Sequence, residues 1–195
     1  MYNAQVVIIN AYESNDFFAS TLAREYDNQL TQQGISSALL FISNMYFSQT
    51  IFPEKYTFET LEPDLRKSVE LIKSASTLTF FVSVGSKGTN PAFQSFINRL
   101  FHLTQGRINE GIWKRPAAYS KKVGIITILN DEQLWKQFKE NRRSIYHPVN
   151  KVDFKLFGFG KVHTTTFGFL RETKINTYGL KCIEKIKRFA KNDSQ

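Results

Sequence analysis

Short apolar runs alternate with amphipathic segments along this chain. Four runs are continuously apolar and are bounded by turn or cap residues, at residues 6–9, 38–42, 78–82 and 123–127. Continuous apolar strands that are separated by helices are typical of a parallel sheet covered on both faces. A fifth strand is predicted at residues 162–167, where three threonines favour the extended conformation. Because ligands bind beyond the carboxyl ends of such strands, we expect function at the residues that follow each run.

The segments between the strands carry helical periodicity and clear ends. An apolar stripe at helical spacing begins at Phe18, and Gly34 offers the left-handed conformation that stops a helix. Pro63 is predicted in the first turn of the second helix. Asn90 is predicted to cap the third helix, with Pro91 as its first residue. The last helix is predicted to bury Cys182, Ile183, Ile186 and Phe189.

Two further helical patterns are predicted between the fourth and fifth strands. One covers residues 133–143, and the other covers residues 149–156. Gly158 and Gly160 are predicted to end the second of these helices.

Size and composition limit the class of protein. With 195 residues, of which 42% are hydrophobic, the chain fits a single domain over residues 1–195. No apolar run approaches the roughly 20 residues that cross a bilayer, so we expect no membrane span. The lone Cys182 forms no internal disulfide, which fits a reducing compartment, and we expect a cytoplasmic protein.

The formal net charge of +9 is concentrated near the C-terminus, where residues 151–195 hold ten lysines and arginines against four acids. Such a surface attracts nucleic acid, an anionic membrane or a phosphorylated cofactor. The simpler interpretation is a solvated outer face of the last helix, since no nucleic-acid-binding motif accompanies the charge. We therefore do not expect a nucleic acid partner.

Four short motifs occur in an order and spacing that resemble one family. They are the turn into the first helix at residues 16–22, Phe47-Ser48-Gln49-Thr50 after the second strand, the helix at residues 91–101, and Lys155-Leu156-Phe157-Gly158-Phe159. The chain resembles the flavodoxin-like fold, and the details resemble its NAD(P)H:quinone oxidoreductase branch, of the quinone-reductase and modulator-of-drug-activity type. The resemblance implies a three-layer α/β sandwich whose five parallel strands stand in the order 2-1-3-4-5.

The resemblance also implies a reaction. In that family NAD(P)H gives a hydride to bound FMN or FAD, and two electrons then pass to a quinone or a similar small-molecule acceptor. The protein holds the flavin and stacks the second substrate on it. Family members commonly form dimers through elements around this site, so a homodimer is expected by resemblance.

Three loops hold the flavin in that family, and each has a counterpart in this chain. Ser14 and Asn15 of the first loop would face the phosphate, and the family's phosphate-contacting serine falls on Phe17, with Phe18 beside it. The loops that would border the ring contribute Ser83, Val84, Gly85, Ser86, Lys87 and Gly88 after the third strand, and Thr127 and Asn130 after the fourth strand.

These loops depart from the family pattern, which leaves a second function open. Every aromatic residue of the family's second loop is replaced here, and the third loop keeps one threonine and neither glycine. The tyrosine and histidine that assist hydride transfer in the mammalian-type enzymes have no counterpart between Asp131 and Arg143, so we assign no catalytic residue. No metal-ligand constellation occurs either. The alternative is a flavodoxin-fold protein that has lost flavin chemistry and acts as a binding or regulatory partner.

Overall fold

The computed structural model describes residues 4–12, 16–48, 60–85, 88–109, 121–129, 132–133, 135–136, 159–168 and 175–193. Within these residues the strands are β1 (Val6–Asn10), β2 (Ser37–Phe41), β3 (Thr77–Gly85), β4 (Gly88–Thr89), β5 (Lys121–Leu129) and β6 (Phe159–Phe167). The long helices described are α1 (Phe17–Gln32), α2 (Pro63–Ser74), α3 (Pro91–Asn109) and α4 (Ile175–Asp193), and a short 3-10 turn covers Ile42–Asn44.

The strands form one sheet in the order β2-β1-β3-β5-β6, with every pair along this path parallel. The predicted fourth and fifth strands are β5 and β6, so the predicted order 2-1-3-4-5 is confirmed. The short β4 lies off this path and pairs antiparallel with β3. The parallel pairing aligns the carboxyl ends of the strands along one edge of the sheet, which we call the carboxyl rim.

Helices cover both faces of the sheet and create two apolar layers. On one face, α1 contributes Leu22, Tyr26 and Leu30, and α4 contributes Cys182 and Ile186. On the other face, the buried residues of α2 and α3 are Leu65, Val69, Leu71, Ile72, Phe93, Phe96, Ile97 and Leu100. Apolar side chains on alternating sides of the same strands feed both layers, which is why the strands are continuously apolar. The architecture is the predicted three-layer α/β sandwich.

The helix ends follow the predicted capping chemistry. The Asn90 side-chain oxygen accepts a hydrogen bond from the Ala92 backbone N–H at 2.8 Å, and α3 begins at Pro91 as predicted. Asp16 caps α1, because its side chain accepts from the Ala19 N–H at 3.0 Å. Gly34 follows the end of α1 with a φ of +74°, which confirms the left-handed stop.

The structure corrects the predicted boundaries near the carboxyl rim. Val84 and Gly85 belong to β3, and Gly88 pairs with Gly85 in a tight antiparallel hairpin, where a loop is predicted. Likewise β5 continues through Leu129, beyond the predicted end at Thr127. Continued pairing with neighbouring strands keeps these residues extended, which the local apolar pattern does not reveal.

The prediction that Gly160 ends a helix is wrong. Phe159 and Gly160 already belong to β6, where Lys121 pairs with Phe159 and the next residue, Lys122, pairs with Lys161. Gly160 is therefore the extra residue of a bulge, a position where glycine is common. Of the predicted helix at residues 133–143, the described residues 133 and 135–136 are helical, as is residue 132. The predicted helix at residues 149–156 and Gly158 lie outside the described residues.

The outer face of α4 carries much of the positive charge, with exposed Lys181, Lys185, Lys187, Arg188 and Lys191. This arrangement agrees with a solvated helix face. In the described part of the chain, no helix is both long enough and apolar enough to cross a membrane.

Candidate functional site

The carboxyl rim of β1, β3 and β5 is the region where the structure brings polar groups together. Asn10, Phe81 and Ile126 stand at the same level across the three strands. Beyond this level, β3 continues to Gly85 and β5 continues to Leu129, so both strands extend past the end of β1. The order of connections reverses at β1, and such switch points create a crevice in open α/β sheets.

Asn10 is a buried polar residue at the end of β1, with none of its surface exposed. Its side-chain oxygen accepts a hydrogen bond from the Tyr12 backbone N–H at 3.0 Å. The Nδ2 atom of Asn10 is also buried, and it has no hydrogen-bond partner in the part of the chain that the structure describes. A buried donor without an acceptor is costly, by about 1–3 kcal/mol, and native proteins contain few of them. Asn10 therefore marks a place where a ligand acceptor would be stabilising.

Tyr12 reaches from β1 across the carboxyl ends of β3 and β5. Its hydroxyl donates to the Val82 carbonyl oxygen at 2.8 Å and accepts from the Ile128 N–H at 3.1 Å. The Ile128 carbonyl oxygen lies 3.4 Å from the same hydroxyl. The side chain is buried, and this burial raises the pKa of Tyr12 well above its ordinary value, with a further contribution from the charge of Asp16. The hydroxyl therefore stays protonated and able to donate.

The described candidate residues of the second and third loops lie along the same rim. Val84 and Thr127 are buried and Ser83 is half-buried, with Ser83 facing Ile128 in the pairing of β3 with β5. Gly85 and Gly88 face one another in the hairpin that ends β3. The two strands thus bring both predicted ring-bordering segments to one place, although several of these residues are in strands rather than loops.

The first loop supplies two aromatic residues at the start of α1, and they have different environments. Phe17 is 84% exposed and borders a cleft of about 550 Å³ between α1 and the end of β2. The Arg24 guanidinium lies 5.6 Å from the centre of the Phe41 ring in this cleft. Phe18 instead packs against the layer beneath α1 and α4. The remaining candidates, Ser14, Asn15, Ser86, Lys87 and Asn130, lie outside the described residues.

A partly buried ion pair joins the start of α2 to α3, and Ser48, which follows β2, is bonded to it. Arg99 on α3 is 2% exposed, and its Nη1 atom lies 2.7 Å from the Glu62 Oε1 atom. The Ser48 backbone N–H donates to the same oxygen at 3.0 Å. Burial raises the pKa of Glu62, but the hydrogen bonds from Ser48 and Arg99 outweigh it, so the net pKa is below its ordinary value. Phe47 adds an edge-on ring contact with Phe96 at 6.2 Å.

The single cysteine has the properties of a structural residue. Cys182 is buried between α4 and the sheet, and burial raises its pKa to about 11 despite a hydrogen bond with Tyr178. The thiolate is the reactive form of cysteine, so a pKa in this range leaves Cys182 a weak nucleophile near neutral pH.

The residues after the first apolar run are expected to carry function, but neither Asn10 nor Tyr12 is singled out there as a site residue. The sequence signal for Asn10 is its position directly after the apolar run of β1, where a polar residue faces the rim. The signal for Tyr12 is its separation of four from Ile8, which continues the same face of the strand. The hydrogen bonds of the Tyr12 hydroxyl join residues that are more than 50 positions apart in the sequence. No local pattern contains them.

The sequence matches no protein-family profile and no curated protein, whereas solved structures match across almost the whole chain. The NAD(P)H:quinone oxidoreductase from Methanothermobacter marburgensis has a TM-score of 0.70 at 14% identity, covering 98% of this chain and 99% of that one. Smu.1420 from Streptococcus mutans UA159 has a TM-score of 0.67 at 17% identity, with coverages of 96% and 98%.

A third similar structure was solved with its cofactor. The FMN-dependent NADH-azoreductase from Bacillus anthracis str. Ames Ancestor, in complex with FMN, has a TM-score of 0.64 at 9% identity, with coverages of 98% and 99%. These likenesses confirm the predicted flavodoxin-like fold, which this chain shares with flavin-dependent reductases. At such low identity they establish the fold, and the chemistry has to be argued from this chain's own residues.

Proposed function

We propose that this chain is a flavin-dependent NAD(P)H oxidoreductase that reduces a quinone or a similar small molecule. The cofactor would be FMN or FAD, and the electron donor would be NADH or NADPH. The chemistry that flavin supplies when bound is transfer of a hydride equivalent from NAD(P)H and of two electrons to the acceptor. We further expect a cytoplasmic homodimer without a nucleic acid partner.

The observation that carries this proposal is the buried Nδ2 atom of Asn10 at the carboxyl rim, which has no hydrogen-bond partner among the described residues. Flavins present phosphate, ribityl and ring oxygens, all of which accept hydrogen bonds. The residues of the rim therefore fit such a group by the chemistry of their donors. The fold supports the same proposal, since structures of flavin-dependent reductases share it over nearly the entire chain.

Each group of residues would have a separate task. Ser14 and Asn15 would donate to the phosphate near the start of α1, close to Phe17 and Phe18. The remaining residues would border the ring, where small side chains and backbone donors permit close approach: Ser83, Val84, Gly85, Ser86, Lys87, Gly88, Thr127 and Asn130. Among the latter, Lys87 would offset negative charge that develops on the cofactor.

Flavin uptake tests the proposal directly. The purified protein should carry a visible flavin absorption band, or should take up added FMN or FAD, and it should then oxidise NADH or NADPH in the presence of a quinone. A substitution of Gly88→Trp should abolish uptake, because the indole would occupy the space beside the hairpin. The control is Gln32→Trp, which places the same bulk on an exposed residue. Gln32 is the last residue of α1, at the end away from the carboxyl rim, so this substitution should leave uptake unchanged.

Two observations favour a second candidate, a binding or regulatory protein without flavin. Tyr12 engages the backbone at the ends of β3 and β5, and Phe17 stands exposed where the resembled family has a phosphate-contacting serine. A colourless protein that ignores both flavins would support this second candidate and contradict the first. Light scattering on the same preparation would test the expected homodimer.

A further inference from the structure

Tyr12 is the one described side chain that joins the carboxyl ends of all three central strands. Its backbone follows β1, where its N–H donates to the Asn10 side chain at 3.0 Å. Its hydroxyl bonds the Val82 carbonyl oxygen of β3 and the Ile128 N–H of β5. The three residues that these hydroxyl bonds join, Tyr12, Val82 and Ile128, are all buried.

The positions of these contacts along β3 and β5 show where Tyr12 lies relative to the proposed ring site. Ile128 lies one residue before the end of β5, and Val82 lies three residues before the end of β3. The segments proposed to border the ring continue beyond Tyr12, through Gly85 and Gly88 on one side and Leu129 on the other. Tyr12 therefore contacts β3 and β5 where these segments begin, and both strands continue beyond it.

The chemistry of the hydroxyl suits it to hold a fixed spacing. A single oxygen donates to β3 and accepts from β5, and a buried hydrogen bond to backbone tolerates little change in length. The position of Tyr12 is itself defined by the Asn10 side chain, so the arrangement is rigid from β1 to β5.

We propose that Tyr12 is a positioning residue that sets the separation of the carboxyl ends of β3 and β5, and so the width of the flavin-ring site. This inference rests on the proposed function, and it adds a residue that contacts the protein backbone rather than the cofactor. Loss of the hydroxyl should leave the ring site present but of poorly defined width, which weakens flavin binding and alters the environment of the bound ring.

The test compares two buried tyrosines that contact the same strand. Tyr12→Phe removes the hydroxyl at the rim, and Tyr26→Phe removes a hydroxyl that lies 3.0 Å from the Thr79 side chain, far below the rim. Both variants keep their ring and should lose similar thermal stability. Only Tyr12→Phe should weaken FMN binding, by about tenfold, and change the visible absorption spectrum of the bound flavin.

Amide hydrogen exchange in the wild-type protein provides a measurement that does not depend on a variant's folding. The Ile128 amide donates to Tyr12, so it should exchange equally slowly with and without FMN. A large acceleration on FMN addition would mean that the flavin displaces Tyr12, which would overturn the inference. Equal FMN affinity and spectra in Tyr12→Phe and wild type would overturn it as well, while leaving the proposed function intact. A wild type that binds neither FMN nor FAD would overturn both.

Discussion

The middle of the sheet and its carboxyl rim are stabilised in different ways, as two buried tyrosines illustrate. Tyr26 lies over the middle, where its ring meets Phe81 edge-on at 5.9 Å and its hydroxyl bonds the Thr79 side chain. Tyr12 lies at the rim, where its hydroxyl bonds backbone groups of β3 and β5. Many apolar contacts therefore hold the middle, whereas a few specific polar or close contacts fix the rim.

This difference predicts a measurable cost for single substitutions that remove one specific contact. The largest effect is expected for Glu62→Gln, which leaves the buried Arg99 guanidinium facing a neutral amide. We expect the free energy of unfolding to fall by about 3 kcal/mol. This value is at the lower end of the range for a broken buried ion pair, because the Glu62 side chain is partly exposed. Denaturant unfolding would measure this loss.

The control is Glu25→Gln, which breaks the exposed contact between Glu25 and Lys187 at 3.6 Å and should cost about 0.5 kcal/mol or less. The pH dependence gives a second check. Because the pKa of Glu62 is lowered in the folded state, its stabilising contribution is present above the unfolded value of 4.5 and is lost as the pH falls through the folded pKa. Glu62→Gln should lack this part of the acid dependence. Equal losses of stability in Glu62→Gln and Glu25→Gln would contradict the contrast between the two ion pairs.

A smaller effect is expected at the end of β6. A methyl group on Gly168 would overlap the ring of Trp135, so Gly168→Ala should reduce the free energy of unfolding by about 2 kcal/mol. The matched control is Gly179→Ala on α4, where the new methyl meets only Phe18 at 3.9 Å. That change should stabilise the protein by about 0.5–1 kcal/mol, because alanine favours the helix. Thermal unfolding of the two variants should therefore shift in opposite directions.

The smallest effect is expected at the start of α1. Asp16→Ala removes the acceptor of the Ala19 N–H and should cost about 1 kcal/mol, while Asp16→Asn retains an acceptor and should cost less. Chemical denaturation of both variants measures the difference. If the two substitutions were equally harmful, the charge of Asp16 rather than its capping hydrogen bond would be the stabilising feature.

The difference between the middle of the sheet and its carboxyl rim also explains which features the sequence could predict. Continuous apolar runs predicted β1, β3 and β5 themselves, because burial on both faces leaves a pattern within each strand. The order of the strands was implied by the family resemblance, and the structure confirms it. Cap residues such as Asn90 and Gly34 predicted helix ends, because their hydrogen bonds and dihedrals are local. The extension of β3 to Gly85 and the bulge at Gly160 depend on neighbouring strands, so local patterns missed them.

The residues of the candidate site were likewise predicted only in part. The resemblance placed Ser83, Gly85, Gly88 and Thr127 at one rim, and the structure brings their strands together there. Tyr12 was missed because its partners, Val82 and Ile128, are distant in sequence. Contacts of this kind depend on the tertiary fold, and no local sequence pattern contains them.

Amide chemical shifts recorded during FMN titration test most directly whether the rim binds flavin. We predict shifts at Gly85, Gly88 and Thr127, with little change at Val6 and Thr77 at the opposite edge of the sheet. Shifts confined to that opposite edge, or none at saturating FMN, would contradict a flavin site at the carboxyl rim.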